Sequence, residues 1–550
     1  MKNVTYINAG AGSGKTYRLT KTLTELIKAG NVNPEQVILT TFTIKAANEF
    51  KEKAKAFLFE EGMYEEAVQL DHAMIGTVHS VCQRMIGKYW FNLGLSPDMG
   101  VMAENDTDYY ISQSLADLPT REELKVLHAF AREFDCRGIG DNGFISRNLD
   151  YNIWQGHLKK IIDFATNYEI EDFSRSEEKS LDFIRQFVLA DLNTDVSDEE
   201  LSTMLEEART YVENNNRIKK KDSYYEKFND IERRAGNKCL AWYNSINDSL
   251  KSNYGDTCAA VLERLAHIYE SQYVYAKQEP YIRLLFDLAK RWKENFAQFK
   301  REKNLLDFND MEKYMRLLLQ NEDIASEISE SYRYLFVDEF QDSSPIQVKI
   351  FDALSNLMEH SYWVGDYKQA IYGFRGTDVP LVKAVVDRIS TKENGCDTDL
   401  LDKSWRSLPD IVDLNNAVYG QTFNGILARK NIRLDSVRTN DNNETSLRYF
   451  VSSDEIGVAK HVLKLLREGA QPNEIAVLAR TNAELGKVAS DLQAWNIPAS
   501  RGDIQIIESK EYSLVKALLH IVESASDAFS KATVAFLTEQ DYDTRQIIES

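Results

Sequence analysis

A β-branched and aromatic run, Val4-Thr5-Tyr6-Ile7, passes through Asn8 directly into Ala9-Gly10-Ala11-Gly12-Ser13-Gly14-Lys15-Thr16, and no other junction restricts the fold as much. The glycines let backbone N–H groups curl around phosphate oxygens, and the lysine reaches the outer phosphates. Leu19, Leu23, Leu26 and Ile27 follow at helical spacing before a stop at Gly30, so the order is strand, loop, helix. A second run, Tyr334-Leu335-Phe336-Val337, opens into Asp338-Glu339-Phe340-Gln341-Asp342. Adjacent acids after four apolar residues place carboxylates at a strand end beside a cleft, where a metal-bound triphosphate and an attacking water need them.

The two junctions are far apart in sequence, and the character of the chain changes between them. Up to about residue 100 strand and helix signals alternate: Gln36-Val37-Ile38-Leu39-Thr40-Thr41-Phe42 precedes a helix carrying Ala47, Phe50, Ala54 and Phe57. That is the βαβ rhythm of a parallel sheet. Long helical patterns dominate 101–304, which reads as an inserted helical domain. The expected fold is therefore α/β: a P-loop NTPase (RecA-like) parallel sheet formed by 1–100 plus 305–390, with 101–304 inserted. A partial second RecA-like domain is expected over 391–518, with strands at Asp399-Leu400-Leu401, Leu447–Val451 and Glu474–Arg480, and a further insertion begins at 519–550.

Composition narrows the setting. No apolar stretch approaches the ~20 residues that span a bilayer, and five dispersed cysteines without a C-x-x-C pair argue against a disulfide framework or a zinc site. A cytoplasmic location with no membrane partner is the expectation. The net charge of −20 disfavours a broad basic face, but affinity for a phosphate backbone depends on the local field in a groove. Arg217-Ile218-Lys219-Lys220-Lys221, followed by Arg233-Arg234, is the most basic local cluster; a DNA backbone contact and a solvated helix face both fit it.

Further segments occur in a fixed order: Thr41-Phe42-Thr43-Ile44-Lys45-Ala46-Ala47, Gly76-Thr77-Val78-His79-Ser80, the Asp338–Asp342 run, Val364-Gly365-Asp366-Tyr367-Lys368-Gln369-Ala370-Ile371-Tyr372-Gly373-Phe374-Arg375-Gly376, and Ser404-Trp405-Arg406-Ser407. In this order they resemble a superfamily 1 DNA helicase of the UvrD/Rep type, leaning toward the RecB/AddA-like branch. The resemblance implies an ATP-dependent 3′→5′ translocase or helicase acting on single-stranded or partly duplex DNA in repair or recombination, with Mg²⁺ as cofactor. It also implies a partner: a second nuclease/helicase subunit.

By the same resemblance the loop Ala9–Thr16 binds the nucleotide, Lys15 neutralises its outer phosphates, and Thr16 and Asp338 hold Mg²⁺. Glu339 is the general base, Gln369 senses the γ-phosphate, Arg406 stabilises the transferring phosphoryl group and Trp405 stacks on adenine. Phe42, His79, Tyr372 and Phe374 are the implied DNA contacts, since every base offers a π-face to an aromatic ring. Each has a bland alternative: read without its motif Trp405 is more often a core aromatic, Arg406 could be a surface ion-pair partner, Gln369 an ordinary hydrogen-bonding side chain, and Phe42 and Phe374 packing beside the sheet.

The chain departs from the family pattern at Ala9, Ile44 and Ser404, and the adenine-selecting glutamine motif upstream of the loop is missing. The last helicase motifs of the second RecA-like domain do not occur before Ser550. The chain therefore reads as the N-terminal portion of a longer protein, with a nucleotide- and DNA-binding module of little turnover as the alternative to a DNA-dependent ATPase.

Overall fold

A computed structural model describes residues 1–534 apart from 103, 140–144, 190–191, 252–253, 372, 374–375, 440–445, 452–456, 501–509, 524–529 and 532. The chain divides into two compact units, 1–138 with 145–447, and 139–144 with 448–550.

The larger unit is organised by six parallel strands: β1 (Val4–Ala9), β2 (Val37–Thr41), β3 (Met74–Thr77), β4 (Tyr334–Val337), β5 (His360–Gly365) and β6 (Asp397–Leu401). Their order across the sheet is β6-β1-β5-β4-β2-β3. Burial on both faces explains the largely apolar sequences of the inner strands, whereas β6, at an edge, is polar at its start and only partly buried. Because side chains alternate, each strand feeds two cores: Ile7, Val37, Leu39, Phe336 and Val364 face one side, and Tyr6, Ile38, Leu335, Val337 and Trp363 the other.

The first face is covered by α1 (Lys15–Lys28) and α2 (Ile44–Glu60), through Leu19, Leu23, Ile27, Phe50, Ala54 and Leu58. The opposite core contains Val81 and Met85 of α3 (Val78–Lys88), and the inserted region contributes α4 (Ile153–Asn167) and the 31-residue α5 (Gln272–Glu302) to a separate core around Trp154 and Trp292. Beyond the insertion, α6 (Phe308–Gln320), α7 (Pro345–Leu357) and α8 (Val379–Ile389) complete the second face.

The inserted region leaves and returns at one place. Gly100–Val101 pairs in parallel with Leu305–Leu306. Immediately before the return, Lys300 at the end of α5 is buried with its Nζ 2.6 Å from both Asp307 Oδ2 and Asp310 Oδ2, and the same two acids form the capping box of α6. Burial, then the Asp307 charge, raise the Asp310 carboxyl above its ordinary range. Burial alone would lower the Lys300 ammonium, but Asp307 and Asp310 outweigh it and the net shift is upward.

Two expectations from sequence are corrected. Asp397–Leu401 is not the first strand of a second α/β unit: it pairs in parallel with β1, Thr5 opposite Asp397 and Ala9 opposite Leu401, and forms an edge of the first sheet. Leu447–Val451 and Glu474–Arg480 form no ladder among the described residues. A strand needs a neighbour to satisfy its backbone, and β-propensity alone does not supply one. In the smaller unit the apolar face of that second segment is used differently: Ile475 and Val477 pack against Ala459, Val462, Leu492 and Ile497, while Leu478 is 94% exposed. Among the described residues no helix is long and apolar enough to cross a membrane.

Replacing Lys300 by Met should leave two buried carboxylates facing each other and destabilise the larger unit by about 3 kcal/mol, read as a lower denaturation midpoint by tryptophan fluorescence. Lys300→Arg should recover most of that loss.

Candidate nucleotide site

At the C-terminal end of β1 the chain turns through Gly12 (φ +72°) and Gly14 (φ +88°), left-handed conformations that glycine adopts without strain. Gly14 is the N-cap of α1 and supplies no side-chain cap, so the first-turn N–H groups of that helix point, uncapped, into the cleft. The Ser13 hydroxyl is buried without a hydrogen-bond partner. Uncapped helix donors, an orphaned hydroxyl and a lysine together fit a bound polyphosphate, which would act as the cap.

The sheet order sets what faces this loop. The strand beside β1 is β5, and β4 lies one further along, so Asp338 and Glu339 emerge across Gly365 from the loop. Glu339 is left-handed (φ 53°, ψ 44°), a conformation that costs a non-glycine residue on the order of 1 kcal/mol. The turn brings its Oε2 to 2.7 Å from Lys15 Nζ. Asp338 stays beneath, its pKa raised to about 6 by burial and then by the Glu339 charge. Asp342 is raised to about 7 for the same two reasons. Both acids thus sit where a cation would replace missing solvation, and the Thr16 hydroxyl with the Asp338 carboxylate suits Mg²⁺, a hard cation that keeps oxygen ligands.

The third wall comes from the segment after β6. Trp405 N–H donates to Gly12 O at 2.9 Å, and a Cβ on Gly12 would lie 2.6 Å from Arg406 Cβ. Lys403–Ser404 is in turn paired with Asp435–Ser436, and Leu434 fills the space over Gly10 so closely that a Cβ there would approach within 2.7 Å. Trp405 is 63% exposed, so its reading as a core aromatic is excluded. The Arg406 side chain is exposed and, among the described residues, makes no ion pair.

One cleft of about 360 Å³ therefore collects Gly10, Gly12, Gly14, Lys15, Thr16, Glu339, Trp405 and Arg406. Ala9 ends β1 in the core, and Ala11 and Ser13 complete the loop. Gln369 is not among the walls: its Nε2 donates to Asp366 Oδ2 at 2.7 Å, and Asp366 also holds the buried Lys368 at 2.7 Å. The residue that bridges the two motifs is Gln341, whose Nε2 donates to Glu339 Oε2 (2.8 Å) and Asp342 Oδ2 (3.2 Å) while its Oε1 accepts the Asp366 N–H (2.9 Å). Sequence reasoning passed over Gln341, although a polar residue following the apolar β4 and its acids was the available signal. Tyr17, Glu49 and Lys53 also line the cleft, and nothing in the helical pattern of 44–60 distinguishes the last two from solvated positions.

Of the implied DNA contacts, Phe42 and His79 leave the same edge of the sheet, because Thr41 lies opposite Thr77 in the β2–β3 register. Phe42 is half-buried. The His79 ring lies against Phe308, tilted by 34° with centroids 4.4 Å apart, and its Nε2 lies 3.2 Å from the buried Glu312. Tyr372 and Phe374 lie outside the described residues. In the basic cluster, Asp230 holds both Arg233 and Arg234, which favours a solvated helix face there.

A methyl group at Gly12 would meet both the left-handed backbone and Arg406, so Gly12→Ala should weaken binding of a fluorescent ATP analogue by about tenfold or more. The melting temperature should fall by a few degrees as well, because the left-handed strain is paid in the folded state.

A family model described as the UvrD/REP helicase N-terminal domain matches residues 1–389. Among curated relatives, the chain is 25% identical over 485 residues to an ATP-dependent helicase/nuclease subunit of Lactobacillus helveticus, covering 75% of this chain and 38% of that protein. Proteins of the same description from Streptococcus pneumoniae and Streptococcus pyogenes are 22% and 23% identical, covering 94% and 96% of this chain and 48% and 49% of theirs. The chain thus spans about half the length, or less, of the curated relatives it matches. With the family model covering five of the six strands and running through α8, and the phosphate loop and its acids at the same end of strands β1 and β4, the chain belongs to the UvrD/REP helicase N-terminal domain family.

Proposed function

We propose that this chain is the nucleotide- and DNA-engaging portion of an ATP-driven motor that moves 3′→5′ along single-stranded DNA in repair or recombination. The supporting observation is the single cleft that joins Lys15, Glu339, Trp405 and Arg406 on a sheet edge that also launches Phe42 and His79. The relatives are named for one subunit of a helicase/nuclease, which supports a multi-subunit setting in which the partner is a second subunit.

In this reading Lys15 exchanges its Glu339 partner for the β and γ phosphates when ATP enters, and Glu339 is released to take a proton from the attacking water. Gln341 holds the freed carboxylate in place and ties it to the Asp366 backbone. Trp405 stacks on the base, and the unpaired Arg406 places positive charge where the transferring phosphoryl group becomes more negative. Mg²⁺, held by Thr16 and Asp338, supplies charge neutralisation on the phosphate oxygens when bound. Gln369 reaches the γ-phosphate only by giving up its bond to Asp366, so nucleotide binding reorganises the start of the DNA-facing segment that follows it.

ATP turnover should be stimulated by single-stranded oligonucleotide and should fall by about 10²-fold or more in Lys15→Ala and Glu339→Gln. Absence of stimulated, Lys15-dependent turnover with nucleotide still bound would reduce the chain to a binding module. Oligonucleotide affinity should fall with salt, and His79→Ala should weaken it by about 1–3 kcal/mol.

A further inference from the structure

One turn of the inserted helical region is fastened to the nucleotide-binding domain by more bonds than its own fold requires. Helix α4 ends at Asn167, and the chain reverses through Tyr168 and Glu169, with Tyr168 N–H on Phe164 O (3.1 Å) and Ile170 N–H on Ala165 O (2.8 Å). Glu169 takes the left-handed position (φ 54°) that glycine or asparagine usually fills. Its carboxylate is used elsewhere: it is ion-paired to Lys349 on α7 and lies 3.4 Å from Arg316 on α6. Burial would raise the Glu169 carboxyl, but the two cations outweigh it and hold it low.

The residues on either side of Glu169 reach the segment behind the nucleotide site. The Tyr168 hydroxyl donates to Asp378 Oδ2, while Asp378 Oδ1 accepts the Leu381 N–H at 2.9 Å and caps α8. Asn167 packs against Gly376 so closely that a Cβ at this left-handed glycine (φ +89°) would lie 2.7 Å from Asn167 Nδ2. Between these two contacts, the buried Thr377 donates its hydroxyl to Asp342 O at 2.9 Å, on the same acidic run that carries Asp338 and Glu339. α7, which bears Lys349, begins immediately after that run. The Tyr168–Asp378 bond and the Glu169–Lys349 ion pair therefore end on segments one step removed from the catalytic carboxylates.

We propose that Asn167–Glu169 is a latch coupling the nucleotide site to the inserted helical region, and that Tyr168 and Glu169 are positioning residues for DNA-stimulated hydrolysis. A shift of the Asp338–Asp342 run on nucleotide binding is carried through Thr377 and Asp378 to Tyr168, and through α7 to Glu169. The two routes converge on the end of α4, whose Trp154 and Leu158 lie in the core of the inserted region. The latch takes part in neither nucleotide binding nor phosphoryl transfer. It rests on the reading of the chain as a DNA-stimulated ATPase.

Tyr168→Phe removes one hydroxyl, and Glu169→Lys, Lys349→Glu and their combination reverse the ion pair. DNA-free kcat and KM for ATP should stay within about twofold of wild type, while turnover with saturating oligothymidylate falls about fivefold in Tyr168→Phe and Glu169→Lys. The double reversal should recover it in part, since Glu169→Lys still sets a cation beside Arg316. Equal losses with and without DNA, or no loss, would overturn the latch. A second measurement needs no turnover: addition of a non-hydrolysable ATP analogue should slow amide exchange at Ile170 and Glu171 in wild type and not in Tyr168→Phe. Identical exchange in the two proteins would also overturn it. A wild-type chain without DNA-stimulated turnover would sink the functional reading, while the exchange experiment would still decide the latch.

Discussion

The parallel register between β1 and β5, with Val4 opposite Ser361 and Asn8 opposite Gly365, is the constraint on which the other features depend. It sets the phosphate loop beside Asp366 and leaves room for β4 to deliver Asp338 and Glu339 one strand further on. Parallel strands align their C-terminal ends on one edge, so every strand places its following loop on the same rim. A slip of one residue would exchange the faces of Tyr6 and Ile7, burying each in the wrong core. The two cores hold the register, and the register holds the site.

Charge at that rim is balanced internally. Lys15 is paired to Glu339, Asp366 to Lys368, and Gln341 stitches the two acidic motifs together. Behind them the Tyr6 phenol is raised above its ordinary range, by burial first and then by the Asp366 and Glu339 charges. Buried acids of this kind are expensive unless paired. In the proposed function, a triphosphate with its metal would change which partner each group takes without moving the strands, which is how a rigid sheet could report on its ligand.

The inserted region is tied to this frame at its return point by Lys300 with Asp307 and Asp310, and at a second place by the turn after α4. The first is a buried charge cluster next to a paired strand end. The second is made of hydrogen bonds and partly exposed ion pairs, which are individually weak and can be exchanged at little cost. A rigid attachment and an exchangeable one, on the same region, is the arrangement expected of an element that moves with the site.

The sequence alone supplied the residues of the proposed chemistry and most of the frame: the Ala9–Thr16 loop, the Asp338–Glu339 acids and the alternation of strands and helices are local patterns, because phosphate binding and sheet burial each demand particular residues at short spacing. It also carried the ordered motifs by which the family was recognised. Three things were decided only by tertiary structure. Asp397–Leu401 joined the first sheet because its partner, β1, lies nearly 400 residues earlier in the chain and no local signal names a pairing strand. Glu474–Arg480 has the composition of a strand but no ladder among the described residues, since backbone pairing depends on a neighbour and not on propensity. Gln341 and the turn at Glu169 acquired their roles from partners on other elements, and the sequence around each names none of those partners.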